Sequence, residues 1–354
     1  MEHPIHKTAS RHNGLDLLRL LSLLGVIVIH LCSSAWNDLP VSSLDWQALN
    51  LYDGLFRFSV PCFVMISGAL MLSPERSLPL AELWKRRIPR LGVAWLFWTL
   101  VYAGRFLLQY ILNGDPAELS AFWNAMGGRQ YHLWFMGMIL GLYILLPILR
   151  PLAEDRKLLK YFLLLSFLVS ILIPTLAMID PIAVPLTGFI DRFMLHLPLG
   201  FSFYFLLGYY LSTESLEKKQ QRWILVLGLV GTILIILGTG LGNLIYPALR
   251  DRLYTYLSLF PAMSAAGIFL FFAKSKQKEP GKTARSFLAL NSRLAFGIYL
   301  VHECFNIVFP HLGIFVTSLP TLLSVPLLAV VTYGGSFMIC WVISKIPLLK
   351  NWII

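Results

Sequence analysis

Along the chain, runs of 17 to 24 mostly apolar residues alternate with short polar segments rich in Lys and Arg. About 20 apolar residues, rising about 1.5 Å each, are enough to cross a hydrocarbon core in helical form. The pattern therefore predicts an all-α polytopic membrane protein of about ten transmembrane helices. They fall near 14–34, 54–73, 91–112, 131–150, 161–179, 196–212, 223–241, 252–273, 291–310 and 321–344. No connecting segment is long enough for a soluble module, and no internal repeat is visible. The reading is one membrane domain over 1–354, with its core at about 13–345.

The first span, GLDLLRLLSLLGVIVIHLCSS, departs from simple apolarity because it carries Asp16, Arg19 and His30. An ionisable group near the bilayer centre costs about 2.5–3.5 kcal/mol on insertion scales, so such groups face protein or a wet cavity. At about 100° per residue, Asp16, Arg19 and His30 form one stripe, with His30 roughly 16 Å above Arg19. Two readings fit that stripe: a snorkelling Asp–Arg pair with a packed histidine, or one polar wall of a passage through the protein. The run is too long and too charged for the core of a cleavable signal peptide, so it is read as part of the mature chain.

Composition agrees with the pattern. Of 354 residues, 57% are hydrophobic and 13% charged, against about 25% charged in soluble domains. The net charge of +11 raises nucleic acid as a partner, but its placement argues against that. If both termini are cytoplasmic, the inner segments hold 21 of the 29 Lys and Arg and the outer loops only Arg129, Arg192, Arg250 and Arg252. That split is the positive-inside pattern of a multi-pass protein of a bacterial inner (cytoplasmic) membrane. Membrane lipids are thus an expected partner, and nucleic acid is not. Cys32, Cys62, Cys304 and Cys340 all lie in apolar runs, show no metal-ligand spacing, and read as small hydrophobes. No metal is expected.

Other polar groups stand out against the apolar background. Arg57, at roughly the depth of His30, either snorkels to the surface or lines the same cavity. Ser67-Gly68 suits close helix packing, and Gly208 reads as packing as well. In WKRRIPRLG, Arg87 and Arg90 share one face at a helix entrance. They fit either phosphate recognition or contact with anionic headgroups. His132 and Trp134, in YHLWF, sit where an interfacial aromatic belt is expected. His302 and Glu303 are adjacent in mid-span. Because neighbours on a helix point about 100° apart, only one of them is expected to share the cavity of the other sites.

Together these stretches resemble the acyltransferase-3 family of bacterial membrane O-acyltransferases. The likeness lies in LDLLRLLSLLGVIVIH, with ten residues between Arg19 and His30, in SVPCFVMISGALML and in Arg87-Ile88-Pro89-Arg90. It continues through HLWFMGMILGLYILLPIL, FLLGYYL and FGIYLVH, in the family's order. The wording of the second span is similar to the branch that modifies surface polysaccharide. The resemblance implies transfer of an acyl group, usually acetyl, from a cytoplasmic acyl-CoA to a hydroxyl of a cell-surface glycan or lipid-linked saccharide. It implies that Arg19 and His30 carry the reaction and that Arg87 and Arg90 handle the donor, acetyl-CoA or another acyl-CoA.

On that basis His30 serves as general base or as a transient acyl carrier. Arg19 steadies donor or oxyanion, and Asp16 holds the guanidinium. Arg57, His132, Trp134, His302 and Glu303 are candidates for the acceptor side. Two other classes remain open at this point. One is a transporter or flippase of a lipid-linked or anionic glycan, with buried Arg and His as gates. The other is a sensor that binds the donor without turnover.

Overall fold

A computed structural model describes residues 13–74, 79–179, 186, 192, 199–245, 252–274 and 281–354. Lys7, Arg11, Arg76, Arg250, Lys276 and Lys278, counted in the charge split, lie outside them. The described residues are helical with no strand. Among the described residues, eight helices are long and apolar enough to span a membrane. Two others expected to span fall short. Ser202–Thr213 is described for only 12 residues, and Lys282–His311 is long enough but loses apolarity to Asn291, His302, Glu303 and Asn306.

The axis of the fold is α1, Asn13–Ala35, an uninterrupted helix of 23 residues buried along most of its length. Next come α2, Leu44–Phe56, and α3, Ser59–Met71, which form one kinked span broken at Arg57–Phe58. This span starts ten residues before the expected position 54, inside what reads as a loop. Ser43 caps it by accepting from the Trp46 amide at 3.1 Å. Its buried positions, Trp46, Leu49, Asn50 and Asp53, recur at helical spacing. Half of that face is polar, which hides it from a hydropathy reading.

Helix α4, Leu80–Asn113, also begins early. It opens through a wide turn at Leu83–Arg87, next to Pro89, which has no amide to continue the regular ladder. It ends on Gly114 in the left-handed conformation, φ 69°. A short α5, Pro116–Asn124, capped by Asp115, occupies a stretch expected to be a loop. Then follow α6, Trp134–Glu154, and α7, Arg156–Leu176. After them come α8, Ser202–Thr213, α9, Lys218–Ile245, and α10, Leu259–Lys274. The chain closes with α11, Lys282–His311, α12, Thr321–Ile343, and α13, Pro347–Trp352.

Helices α2, α3, α10, α11 and α12 pack around α1. Close approach elsewhere depends on small residues. A side chain at Gly68 of α3 would run into the Phe205 backbone of α8, and one at Gly208 would meet the Met65 backbone. Both glycines are packing residues, as their context suggests. Asp45, in α2, accepts from the Thr321 amide at 2.8 Å and so caps α12. That bond ties the second helix to one near the end of the chain.

Candidate active site

The polar stripe of α1 lies along α11. At the Asn13 end, the Arg19 guanidinium donates to Asp16 Oδ1 at 3.1 Å and to the Ser292 hydroxyl. Ser292 in turn donates to Asp16 Oδ1 at 2.6 Å. At the Ala35 end, His30 Nδ1 lies 2.7 Å from His302 Nε2, with the rings stacked at 4.9 Å and 19°. Eleven residues on α1 and ten on α11 separate the two contacts, about three helical turns on each. Two helices running side by side in the same direction therefore meet in polar register at both levels.

The second level is the richer one. His302 is fully buried, and its Nδ1 lies 2.5 Å from the Tyr299 carbonyl one turn back. Glu303 accepts from Asn306 Nδ2 at 2.9 Å and pairs with the Tyr131 hydroxyl. Its Oε2 lies 4.0 Å from His30 Nδ1. His302 and Glu303 thus both lie against His30, while neither is in the lining of the cavity that only one of them was expected to share. The 100° between them is offset because His30 sits across from the seam between the two side chains. Tyr131 meets the His30 ring edge-on at 5.3 Å.

His132 is not at an exposed interface. It is buried, edge-on to Tyr102 at 4.5 Å and 6.3 Å from the His302 ring, and neither ring nitrogen has a partner among the described residues. Trp134 lines the cavity described next and lies against Tyr256, ring centres 5.9 Å apart.

That cavity, of about 580 Å³, has His30 in its wall. Six aromatic side chains line it, Trp36, Tyr131, Trp134, Phe201, Tyr254 and Tyr256. Asp53, Asn37 and Arg57 add polar groups. This mixture of apolar walls and a few placed polar groups is typical of small-molecule sites, which run to about 300–1,000 Å³. Arg57 lines the cavity instead of snorkelling. It donates to Asp53 at 2.9 Å and to the Tyr254 carbonyl at 2.8 Å, and it lies over the rings of Tyr254 and Tyr256.

Arg19 is not in this lining. Between Arg19 and His30 the same face of α1 carries Ser22, Leu23 and Val26, all buried. Along α1 the stretch between the two levels is thus buried and uncharged, so the stripe carries its ionisable groups only at its two ends.

Arg87 and Arg90 also have protein partners. Arg87 pairs with Glu82 at 3.2 Å while remaining about half exposed, and Arg90 donates to the Ile354 carbonyl at 2.7 Å.

One cluster has the composition of a metal site, since His30, His302 and Glu303 offer ligand atoms within 4.8 Å of one another. Two nitrogens sharing a tetrahedral zinc at 2.0–2.1 Å would lie roughly 3.3 Å apart. At 2.7 Å the imidazoles are spaced for a shared proton. The four cysteines are free thiols.

The sequence profile of an acyltransferase domain matches residues 12–344, from the start of α1 through the end of α12. The chain belongs to the acyltransferase-3 family. No curated protein and no solved structure matches it. Membership in the acyltransferase-3 family, with the apolar helices, makes this a multi-pass membrane acyltransferase.

Several groups at this candidate site escaped the sequence reading: Ser292, Tyr131, Tyr299, Asn306 and the Tyr254–Tyr256 surround of Arg57. Ser292 had a usable clue. It precedes His302 by ten residues, nearly the interval from Arg19 to His30.

Proposed function

We propose that the protein moves an acyl group, acetyl in the simplest case, from a cytoplasmic acyl-CoA to a hydroxyl of a surface glycan or lipid-linked saccharide. In this reading it resides in a bacterial inner membrane with both termini cytoplasmic, and the cavity at His30 opens outward. The observation that carries the reading is a histidine set in the wall of an aromatic cavity, in a chain whose family is acyltransferase. Aromatic rings with interspersed polar groups suit a sugar, which presents apolar faces and hydroxyl edges.

The chemistry then follows from the residues. His30 takes the proton of the acceptor hydroxyl as its oxygen bonds to the thioester carbonyl carbon. The carbon–sulfur bond breaks, and the thiolate leaves with the proton returned by His30. Arg57 and Trp134 shape the acceptor pocket. Arg19, fixed by Asp16 and Ser292, presents positive charge on the donor side. Arg87 and Arg90 grip the donor's phosphates by exchanging Glu82 and the Ile354 carbonyl for them.

The test is donor dependence. Membranes holding the protein are incubated with labelled acetyl-CoA, and label is sought on saccharide. His30→Ala is expected to abolish transfer while the protein inserts at normal levels. Near-wild-type transfer by that variant would overturn the mechanism.

A further inference from the structure

The hydrogen bonds around His302 determine where the protons sit on both imidazoles. A backbone carbonyl can only accept, so His302 Nδ1, 2.5 Å from the Tyr299 oxygen, carries a hydrogen. A neutral imidazole has one N–H and one lone pair, so His302 Nε2 is an acceptor. It lies 2.7 Å from His30 Nδ1, and the hydrogen between the rings therefore belongs to His30 Nδ1. The lone pair of His30 is thereby assigned to Nε2. That atom has no hydrogen-bond partner among the described residues, and His30 lines the cavity. Nδ1 is turned toward buried His302, so the free nitrogen is the one on the cavity side.

We propose that His302 is a positioning residue for acyl transfer, locking His30 in the tautomer that leaves Nε2 free as the base. The inference rests on the reading of His30 as the proton acceptor. It adds a distinct division of labour within the cluster.

Glu303 is not the lock. Its Oε2 is 4.0 Å from His30 Nδ1, beyond hydrogen-bond reach, and Asn306 and Tyr131 already occupy the carboxylate. The arrangement Tyr299 C=O, His302, His30 has the logic of a catalytic triad, in which a third group orients the base through its second nitrogen. Here a neutral imidazole anchored to its own helix takes the place of a carboxylate. The stacked rings, 19° from parallel, also restrain rotation of the His30 side chain. A base misplaced by about 1 Å loses on the order of 100-fold in rate.

The experiment uses the full chain in lipid nanodiscs with ¹⁵N-labelled imidazoles. The His30 resonances are assigned by their loss in His30→Gln. Wild type is expected to show His30 protonated at Nδ1 and unprotonated at Nε2. A proton on Nε2 at neutral pH would overturn the proposal without any activity measurement.

Two variants supply the kinetic arm. His302→Gln keeps an acceptor oxygen near the place of Nε2, and His302→Leu removes it. Leu is expected to lower kcat about 100-fold with KM for acyl-CoA unchanged, and Gln to restore it to within about tenfold of wild type. Wild-type kcat in the Leu variant, or equal loss in both variants with donor binding intact, would overturn the role. If Leu fails to fold, the wild-type tautomer still decides. If wild type transfers no acyl group at all, the proposed function fails, and the tautomer lock is judged separately by its resonances.

Discussion

The Asp53–Arg57 pair allows a quantitative test of how the cavity wall is held. Its atoms are 2.9 Å apart, and the two side chains are only 7% and 15% exposed. At an effective dielectric of about 20, opposite charges at that distance attract by about 6 kcal/mol before desolvation is counted. Removing one partner strands the other charge in a poorly solvated place, which typically costs about 3–5 kcal/mol. Arg57 would retain the Tyr254 carbonyl and two aromatic faces, each face contributing about 0.5–2 kcal/mol. The lower end of the range applies, so Asp53→Asn should destabilise by about 3 kcal/mol, and Arg57→Gln by a similar amount.

The double variant leaves neither charge stranded and should cost about 3–4 kcal/mol rather than 6. The coupling is then about 2–3 kcal/mol, measured by reversible unfolding of the four proteins in mixed detergent. Single-variant losses that add to within about 0.5 kcal/mol would refute the argument, meaning the two charges are solvated independently. The same variants should raise KM for the acceptor more than KM for acyl-CoA, because the pair lines the cavity.

Other expectations are simpler. Gly68→Leu and Gly208→Leu should each lower thermal stability by about 1–3 kcal/mol or more, since the new side chain meets the facing backbone. Gly104→Ala, where the added carbon meets nothing within 4 Å, should be neutral or up to about 1 kcal/mol stabilising. Equal effects at all three positions would discount the close helix crossing. Replacing both Arg87 and Arg90 by Ala should weaken acyl-CoA binding at least tenfold, since a hydrogen bond to a charged group contributes about 1.5–3 kcal/mol. Unchanged affinity by titration calorimetry would remove them from the donor site. Asp16→Asn should reduce transfer more than Ser292→Ala, because the carboxylate holds both Arg19 and Ser292. The reverse order in initial rates would mean that Ser292 contacts the donor directly.

Most of the architecture could be read from hydropathy, because a bilayer helix has little choice of length. The failures occur where burial and apolarity part company. Helix α2 buries Asn50 and Asp53 beside Trp46 and Leu49, so half its packed face looks like loop. Helix α11 contributes Ser292 and His302 to the site, yet that same polarity weakens its resemblance to a span.

Within the site, the stripe on α1 was visible because one helix fixes relative angles. Which helix would face it was not, since pairing of distant segments leaves no local periodic trace. Arg57 could have snorkelled or turned inward. The decision rests with Tyr254 and Tyr256, about 200 residues further along.

The pairing of α1 with α11 also constrains how the protein is made. His30 and His302 are 272 residues apart, and Arg19 and Ser292 are 273 apart. During synthesis the first helix must wait for nearly the last before its ionisable groups find their permanent neighbours. Until then His30 lacks His302 and the Asp16–Arg19 pair lacks Ser292, and a charged group turned to lipid costs about 2.5–3.5 kcal/mol. A ribosome stalled before α11 should therefore leave a chain that stays bound to its translocon, whereas one stalled after α11 should release it. The polar stripe would thus also act as a retention tag on the nascent chain, removed only when α11 covers it.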